Sequence, residues 1–324
     1  MNKERKLIGI NLAIASALTL LVFWISLSLR GQALAPDQGA SWYYWKLPSP
    51  TFWTRFTAWG GYLLHQFALW YVILNMHKDK QPPSKTLTKY NKQLIAINLS
   101  FILLHAIQSF IWYDGLAQDV SVASSQYSVI LMLVLVLIME NGRRGLFFGK
   151  KVKLPKEGVK RVFDYHGFYI AWAITYTFWY HPMVGTVGHL FGFFYMFLLF
   201  AQLSFAGTKF HQNKIWTFLL EIIVLFHGTT VAILQGTGIW SMFFFGFATM
   251  FIVTQMYGLP ISKTWRLTVT ALYALAAVIT YSGFLFDKSL TMIHQVIWIP
   301  TILYGLVFLI VYTLKIPSLF KTTS

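Results

Sequence analysis

The chain has 324 residues, of which 56% are hydrophobic and 11% charged, whereas a soluble domain normally carries about 25% charged residues. This composition excludes an ordinary water-soluble globular protein, and the absence of cysteine excludes disulfides, thiolate metal sites and thiol nucleophiles. The net charge of +16 is typical of a nucleic-acid-binding protein. The basic residues, however, fall in alternate connections between apolar segments, as membrane topology requires, so we expect no nucleic-acid partner.

The apolar residues form ten segments, most of them close to the roughly 20 residues that a helix needs to cross a bilayer. We predict an all-α fold, a polytopic bundle of about ten transmembrane helices that makes one integral membrane domain over residues 1–324. The predicted spans are 7–29, 56–76, 93–113, 127–141, 162–181, 184–205, 215–235, 239–257, 267–286 and 291–314. The first segment is longer than the roughly 7–15 apolar residues of a signal peptide, so we retain it as a helix.

The basic residues predict that both termini are cytoplasmic. With the N-terminus inside, all Lys and Arg residues fall in inner segments except Arg30, Lys46, Arg55 and Lys288. Segment 142–161 is the most basic, and it either attracts anionic headgroups or only sets the topology. Membrane lipids are therefore expected partners, and the expected location is a bacterial plasma membrane. The oligomeric state is not indicated.

Five histidines share one depth in the outer half of five predicted helices. At about 1.5 Å per residue, their distances from the outer surface run from roughly 5 Å for His294 to roughly 14 Å for the deepest. Imidazole is the commonest metal ligand in proteins, so this slab predicts a site for haem or a divalent transition metal. The predicted ligands are His65, His105, His189, His227 and His294. The alternative for each is a residue that hydrogen-bonds a neighbouring helix.

Small and polar residues accompany two of these histidines at helical spacing. Gly188, Gly192 and Tyr195 follow the face of His189, and Gln108 lies one turn after His105. Glycine allows a flat ligand or another helix to approach closely. We predict that these four residues line the cofactor.

Glu221 is the most deeply placed carboxylate, about 9 Å from the cytoplasmic end of its predicted helix. It precedes His227 by six positions, or about 240° of helical rotation, so the two side chains lie on different faces. We predict that Glu221 pairs with the inner residues His166 and Asp164 as catalytic or proton-carrying groups. The alternative is a glutamate that is protonated or satisfied by one neighbour.

Three functions are compatible with these patterns. The first is a membrane-embedded enzyme whose histidines hold haem or another metal and whose many aromatic residues surround a lipid, quinone or other apolar substrate. The second is a proton-coupled secondary transporter that uses Glu221 and buried histidines. The third is a non-catalytic membrane subunit.

Overall fold

The computed structural model describes residues 3–29, 31–36, 38, 44–79, 81–236 and 238–319. Within these residues the chain forms ten α-helices and no β-strand, which confirms the predicted all-α fold and the predicted helix count. The helices are α1 Lys3–Ser28, α2 Phe52–Asp79, α3 Lys89–Trp112, α4 Val122–Arg144, α5 Lys156–Tyr180, α6 Val187–Ser204, α7 Lys214–Leu234, α8 Trp240–Val253, α9 Lys263–Tyr281 and α10 Trp298–Leu319.

Seven helical segments in the described part of the chain are long and apolar enough to cross a membrane. They are α1, α3, α4, α6, α7, α8 with the turn that follows it, and α10 with the turn that precedes it. The first turns of α5 are highly charged, with Lys156, Glu157 and Lys160, and polar residues occur at both ends of α2. Seven such segments are the signature of an integral, multi-pass membrane protein. Ten spans and two cytoplasmic termini remain predictions.

The helices begin and end up to seven residues away from the predicted spans, and two of these differences affect predicted site residues. The predicted fourth span ended at residue 141, but α4 continues through a polar turn to Arg144. The predicted tenth span began at residue 291, but Leu290–Ile297 forms a 3-10 helix and the α-helix begins at Trp298. Pro300 lies in the first turn of α10, where its missing N–H leaves no hydrogen bond unmade. His294 therefore lies before the α-helix, although the predicted tenth span included it.

The chain divides into two compact units. The first consists of Met1–Met132 and Gly167–Trp216, and the second of Leu133–His166 and Thr217–Ser324. Helices α4 and α5 each contribute one part to each unit. The single domain expected from the sequence remains a prediction.

In the first unit, α2 packs along α3 and α1 packs along α6. Large side chains fill the interior between them, among them the fully buried Phe178 and Trp179 of α5. Gly61 of α2 lies directly against the Trp179 indole, and a Cβ at this position would collide with the ring. The missing side chain of Gly61 therefore creates the space that the indole occupies.

In the second unit, α8 contacts α9, α10 and the 3-10 helix before α10. Phe245, Ala277 and Tyr281 form a buried apolar cluster between α8 and α9. Gly158 near the start of α5 lies against the backbone carbonyl of Val311 in α10, so only a residue without a side chain fits there. Such close approaches at small residues are typical of helices that pack in membranes.

Candidate functional site

A row of buried polar residues follows one face of α3. Asn91, Asn98 and His105 are spaced seven residues apart and are at most 3% exposed. Asn91 Nδ2 donates to the carbonyls of Ser204 and Ala206, both at 2.8 Å. Asn98 Nδ2 donates to Ser204 Oγ at 2.9 Å. These bonds tie α3 to the end of α6, so the asparagines of this row hold helices together.

His65 of α2 lies in the interior of the first unit with both ring nitrogens bonded. Trp179 Nε1 donates to its Nδ1 at 3.3 Å, which leaves the proton on Nε2 to bond Asn98 Oδ1 at 3.1 Å. The imidazole also stacks on Phe101, with ring centroids 4.5 Å apart and planes within 3°. Because the protein itself satisfies both nitrogens, His65 has no lone pair free to ligate a metal.

His105 is held in the same way. Its Nε2 lies 2.8 Å from the carbonyl oxygen of His181, which only accepts, so Nε2 carries the proton. Its Nδ1 lies 3.2 Å from Gln108 Oε1, and because Nε2 carries the proton, the hydrogen-bond network requires the amide to be turned by 180° so that its N–H donates to Nδ1. Gln108, predicted to contact a cofactor, is 2% exposed and instead supports the tautomer of His105.

His189, the third predicted ligand in the first unit, forms a pair with His181, which was not among the predicted ligands. His189 Nε2 lies 3.3 Å from His181 Nδ1, and its Nδ1 lies 2.8 Å from Thr186 Oγ1. The Trp45 ring packs edge-on against His189 at 4.3 Å. Beside the pair is a cavity with a volume of about 220 Å³, lined by Trp45, Thr186 and Tyr113.

The remaining two predicted ligands belong to the second unit. His227 is half-buried on α7. His294 is exposed in the 3-10 helix, where its Nδ1 bonds the carbonyl of Thr291 at 2.8 Å. In the described part of the chain, no group of three or more His, Cys, Asp or Glu residues is placed to hold a metal ion. The predicted cofactor, haem or a divalent transition metal, is therefore wrong. The five histidines share a depth but do not share a site.

The small-residue stripe of α6 also has a packing role. α6 packs along α1 and against α3. Gly188 and Gly192 are half-buried and Tyr195 is buried. A stripe of small residues is typical of tightly packed membrane helices, so close helix contact explains it without a flat ligand.

Glu221 of α7 forms the principal ion pair of the second unit. Arg144, the last residue of α4, donates from Nη1 to Glu221 Oε1 at 2.9 Å and from Nη2 to Oε2 at 2.6 Å. This two-pronged geometry is the strongest hydrogen-bonded ion pair available to side chains. The Arg144 side chain is only 1% exposed and that of Glu221 9% exposed. Both charges are therefore almost completely removed from surrounding solvent or lipid.

A second, more exposed ion pair lies next to the first. Arg143 bonds Glu140 through Nε at 2.5 Å and the carbonyl of Gly258 at 3.2 Å. Glu140 Oε2 is 3.9 Å from Arg144 Nε, a nitrogen that has no hydrogen-bond partner. Glu140 is thus the next carboxylate within reach of Arg144.

The predicted catalytic partners of Glu221 have other partners. Asp164 Oδ2 bonds Lys160 Nζ at 2.6 Å, one helical turn away on α5. His166 Nδ1 lies 2.8 Å from the carbonyl of Phe163. Glu221 pairs with Arg144 instead, a residue that sequence reasoning had assigned to the inner interface. The extension of α4 beyond residue 141 brings Arg144 into position.

Glu221 also lines a small cavity with a volume of about 20 Å³. The other walls are mostly apolar and include Val224, Phe247 and Leu303, and Gln255 supplies an amide. A cavity of this size has room for about one water molecule. The ion pair and this cavity together form the candidate functional site.

The first unit carries a separate charge cluster where α2 begins. Arg55 bonds Asp114 at 2.6 Å, and Arg55 and Trp59 both bond Asp119. Burial raises the pKa of Asp114 above its ordinary value of 3.8, although Arg55 opposes this. Burial also acts to raise the pKa of Asp119, but the hydrogen bonds from Arg55 and Trp59 outweigh it and hold this pKa below 3.8. The cluster anchors the α3–α4 connection to α2.

Arg30, another predicted outer basic residue, lies outside the described residues.

No family model, curated protein or solved structure matches the chain.

Proposed function

We propose that the protein is a proton-coupled secondary transporter in which Glu221 carries the proton. The observation that supports this is the buried two-pronged pair of Arg144 and Glu221 beside an apolar cavity. Charged residues inside a membrane are costly and mark ion or substrate pathways more often than they mark simple packing. The pair and the cavity both lie within the second unit.

The energetics of the pair favour obligatory coupling. Removing one partner of a buried ion pair costs about 3–5 kcal/mol, because the remaining charge has no compensation. When Glu221 takes up a proton, Arg144 loses its two-pronged counter-charge, and Glu140, at 3.9 Å and already bonded to Arg143, compensates it only in part. A substrate group that bonds Arg144 provides that compensation, so proton and substrate occupy the site together.

The proposal includes an orientation. With ten spans and both termini cytoplasmic, Glu221 lies in the inner half of a plasma membrane. Substrate and proton then enter through the opposite half and are released inward when Arg144 and Glu221 pair again. We assign the histidines of the first unit to packing and not to the proton path. His65, for example, is hydrogen-bonded on both ring nitrogens.

The enzyme hypothesis loses its basis, because it depended on a metal or haem site that the histidines do not form. The non-catalytic subunit leaves the buried pair and its cavity without a role. If no proton movement in the following experiment depends on Glu221, the non-catalytic subunit becomes the better interpretation.

The experiment uses purified protein in vesicles that contain a pH-sensitive dye. Solutes of different classes are added outside, and uptake is measured together with the internal pH. We expect uptake of a solute to carry protons in the wild type and in Glu140→Gln, and to lose its proton coupling in Glu221→Gln. Uptake with an unchanged proton ratio in Glu221→Gln would remove Glu221 from the mechanism.

A further inference from the structure

We infer that the connection between α4 and α5 is a docking site for anionic lipids, whose phosphate groups it binds at the membrane surface. The site consists of residues 145–156, which we call the basic turn, and of Arg266 near the start of α9. The inference goes beyond the proposed function, because these residues lie outside the pair of Arg144 and Glu221. It follows from the fixed shape of the basic turn, from its unpaired lysines and from two exposed aromatic rings.

The basic turn is attached to the ends of two helices of the second unit. The Phe148 N–H donates to the carbonyl of Val253, the last residue of α8, at 2.8 Å. Asn141 of α4 holds the backbone of Val152 through both atoms of its side-chain amide, at 2.8 and 3.0 Å. Both α4 and α8 belong to segments that are long and apolar enough to cross a membrane, so the turn at their ends is placed at a membrane surface.

Four lysines of the basic turn are exposed and lack a counter-charge. They are Lys150, Lys151, Lys153 and Lys156. Within the described part of the chain none of the four forms an ion pair, whereas Lys160, one turn further along α5, is bonded to Asp164 at 2.6 Å. A cluster of lysines that the protein leaves unpaired next to a membrane favours negatively charged headgroups as its partner.

Arg266 adds a guanidinium that is suited to phosphate. Its Cζ lies 4.8 Å from the centroid of the Tyr257 ring. The same ring lies against Gly149 of the basic turn, where a Cβ would come within 2.8 Å of it. Among the described residues, Arg266 Nε is buried and has no hydrogen-bond partner. Guanidinium groups bind phosphate through parallel N–H···O bonds, so Arg266 supplies such donors one aromatic ring away from the turn.

Two phenylalanines favour a lipid over a soluble phosphate. Phe147 and Phe148 are 38% and 56% exposed, directly before the lysines. Phe148 has a φ of +48°, a conformation that is costly for a bulky side chain and that glycine or asparagine adopts more easily. Neither deep burial nor backbone preference therefore explains a phenylalanine at this position. Aromatic rings next to cations are typical of segments at headgroup level, where the rings contact apolar chains and the cations contact phosphates.

The test measures binding of phosphatidylglycerol with a labelled acyl chain to the purified protein in detergent. Phosphatidylcholine with the same label is the zwitterionic control. We expect phosphatidylglycerol to bind more tightly than phosphatidylcholine, and we expect this preference to decrease as salt is added.

The variant for this test replaces Lys150, Lys151 and Lys153 together by glutamine. Each lysine near an anionic surface strengthens binding by a factor of about five, so the triple variant should bind phosphatidylglycerol roughly 100-fold more weakly. The matched control is Lys160→Gln, which removes an exposed lysine that is already paired with Asp164 and should retain the affinity of the wild type.

A second variant separates lipid binding from a structural role. Phe148→Asn removes the ring and places asparagine before Gly149, the dipeptide that is preferred in turns with two positive φ values. We expect an unfolding temperature equal to or above that of the wild type without lipid, together with weaker binding of phosphatidylglycerol. Unchanged lipid binding in this variant would contradict the role of the Phe148 ring.

Three outcomes would overturn the inference. Equal affinities for the two lipids would favour a partner other than the anionic membrane, such as an acidic protein surface. Unchanged phosphatidylglycerol binding in the triple lysine variant would place the lipid elsewhere on the protein. Displacement of the bound lipid by glycerol phosphate, which has the charge but no acyl chain, would assign the turn to a soluble phosphate.

Discussion

The coupling between Arg144 and Glu221 predicts an asymmetric loss of stability. Glu221→Gln leaves the guanidinium, whose side chain is 1% exposed, with only Glu140 at 3.9 Å, a carboxylate already paired with Arg143. An arginine cannot shed its proton, so the expected cost is about 3–5 kcal/mol. Arg144→Gln leaves a carboxyl group that can become neutral by taking up a proton, so the expected cost is only about 1–3 kcal/mol.

The double variant completes the cycle. With both charges removed, the expected loss is about 0–2 kcal/mol, well below the sum of the two single losses, which gives a coupling energy of at least about 2 kcal/mol. The assay is equilibrium unfolding of the detergent-solubilised protein, followed by tryptophan fluorescence. Matched control variants remove the more exposed pair of Arg143 and Glu140, for which we expect at most about 1 kcal/mol.

Additive losses at Arg144 and Glu221 would refute this reasoning. They would mean that the two side chains do not compensate each other in the folded protein, and the transport proposal depends on that compensation.

Three further predictions concern the first unit. Gly61→Ala places a Cβ inside a buried indole ring and should destabilise by about 1–3 kcal/mol, whereas Gly60→Ala, with open space around it, should be neutral or slightly stabilising; equal thermal stabilities would contradict this. His65→Phe should preserve ring stacking but lose two hydrogen bonds, which costs about 1–3 kcal/mol, and should leave proton coupling intact; loss of coupling at full stability would assign His65 to the proton path. Asp119→Asn should cost about 1 kcal/mol or less at neutral pH, because Arg55 is then less well compensated and the carboxyl is 49% exposed. Since the pKa of folded Asp119 is lowered, this loss should disappear in unfolding measurements as the pH falls through that pKa, and a loss that does not change with pH would contradict the assignment.

The helices could be predicted from the sequence because they depend on local composition. Long apolar segments separated by charged connections indicate helices in a membrane whatever the tertiary structure is. The boundaries were less predictable where polar residues continue a helix. The predicted fourth span ended at residue 141, before Arg143, but the helix extends to Arg144.

The site was only partly predictable because its partners are distant in sequence. Glu221 was identified correctly as a buried carboxylate, but its partner lies 77 positions earlier in the chain. Nothing in the local pattern distinguishes Arg144 from the other basic residues of the inner connection. A polar turn that continues an apolar helix was the only available signal.

The histidines show why a common depth does not predict a common site. His65 and His105 lie at similar depth, and each is satisfied by hydrogen bonds to its own neighbours. The seven-residue spacing of Asn91, Asn98 and His105 was the informative pattern, because it indicates one polar face along a helix. Such a face is as typical of helix packing as of ligand binding.

The most direct test of the central claim is an infrared titration of Glu221 in the membrane-reconstituted protein. A protonated carboxyl has a carbonyl band distinct from that of a carboxylate, so difference spectra between acidic and alkaline buffer report protonation of individual carboxyl groups by comparison with variants. We predict a band that disappears in Glu221→Gln and persists in Glu140→Gln. Identical difference spectra of the wild type and Glu221→Gln would show that Glu221 keeps its charge, and would contradict proton coupling through its pair with Arg144.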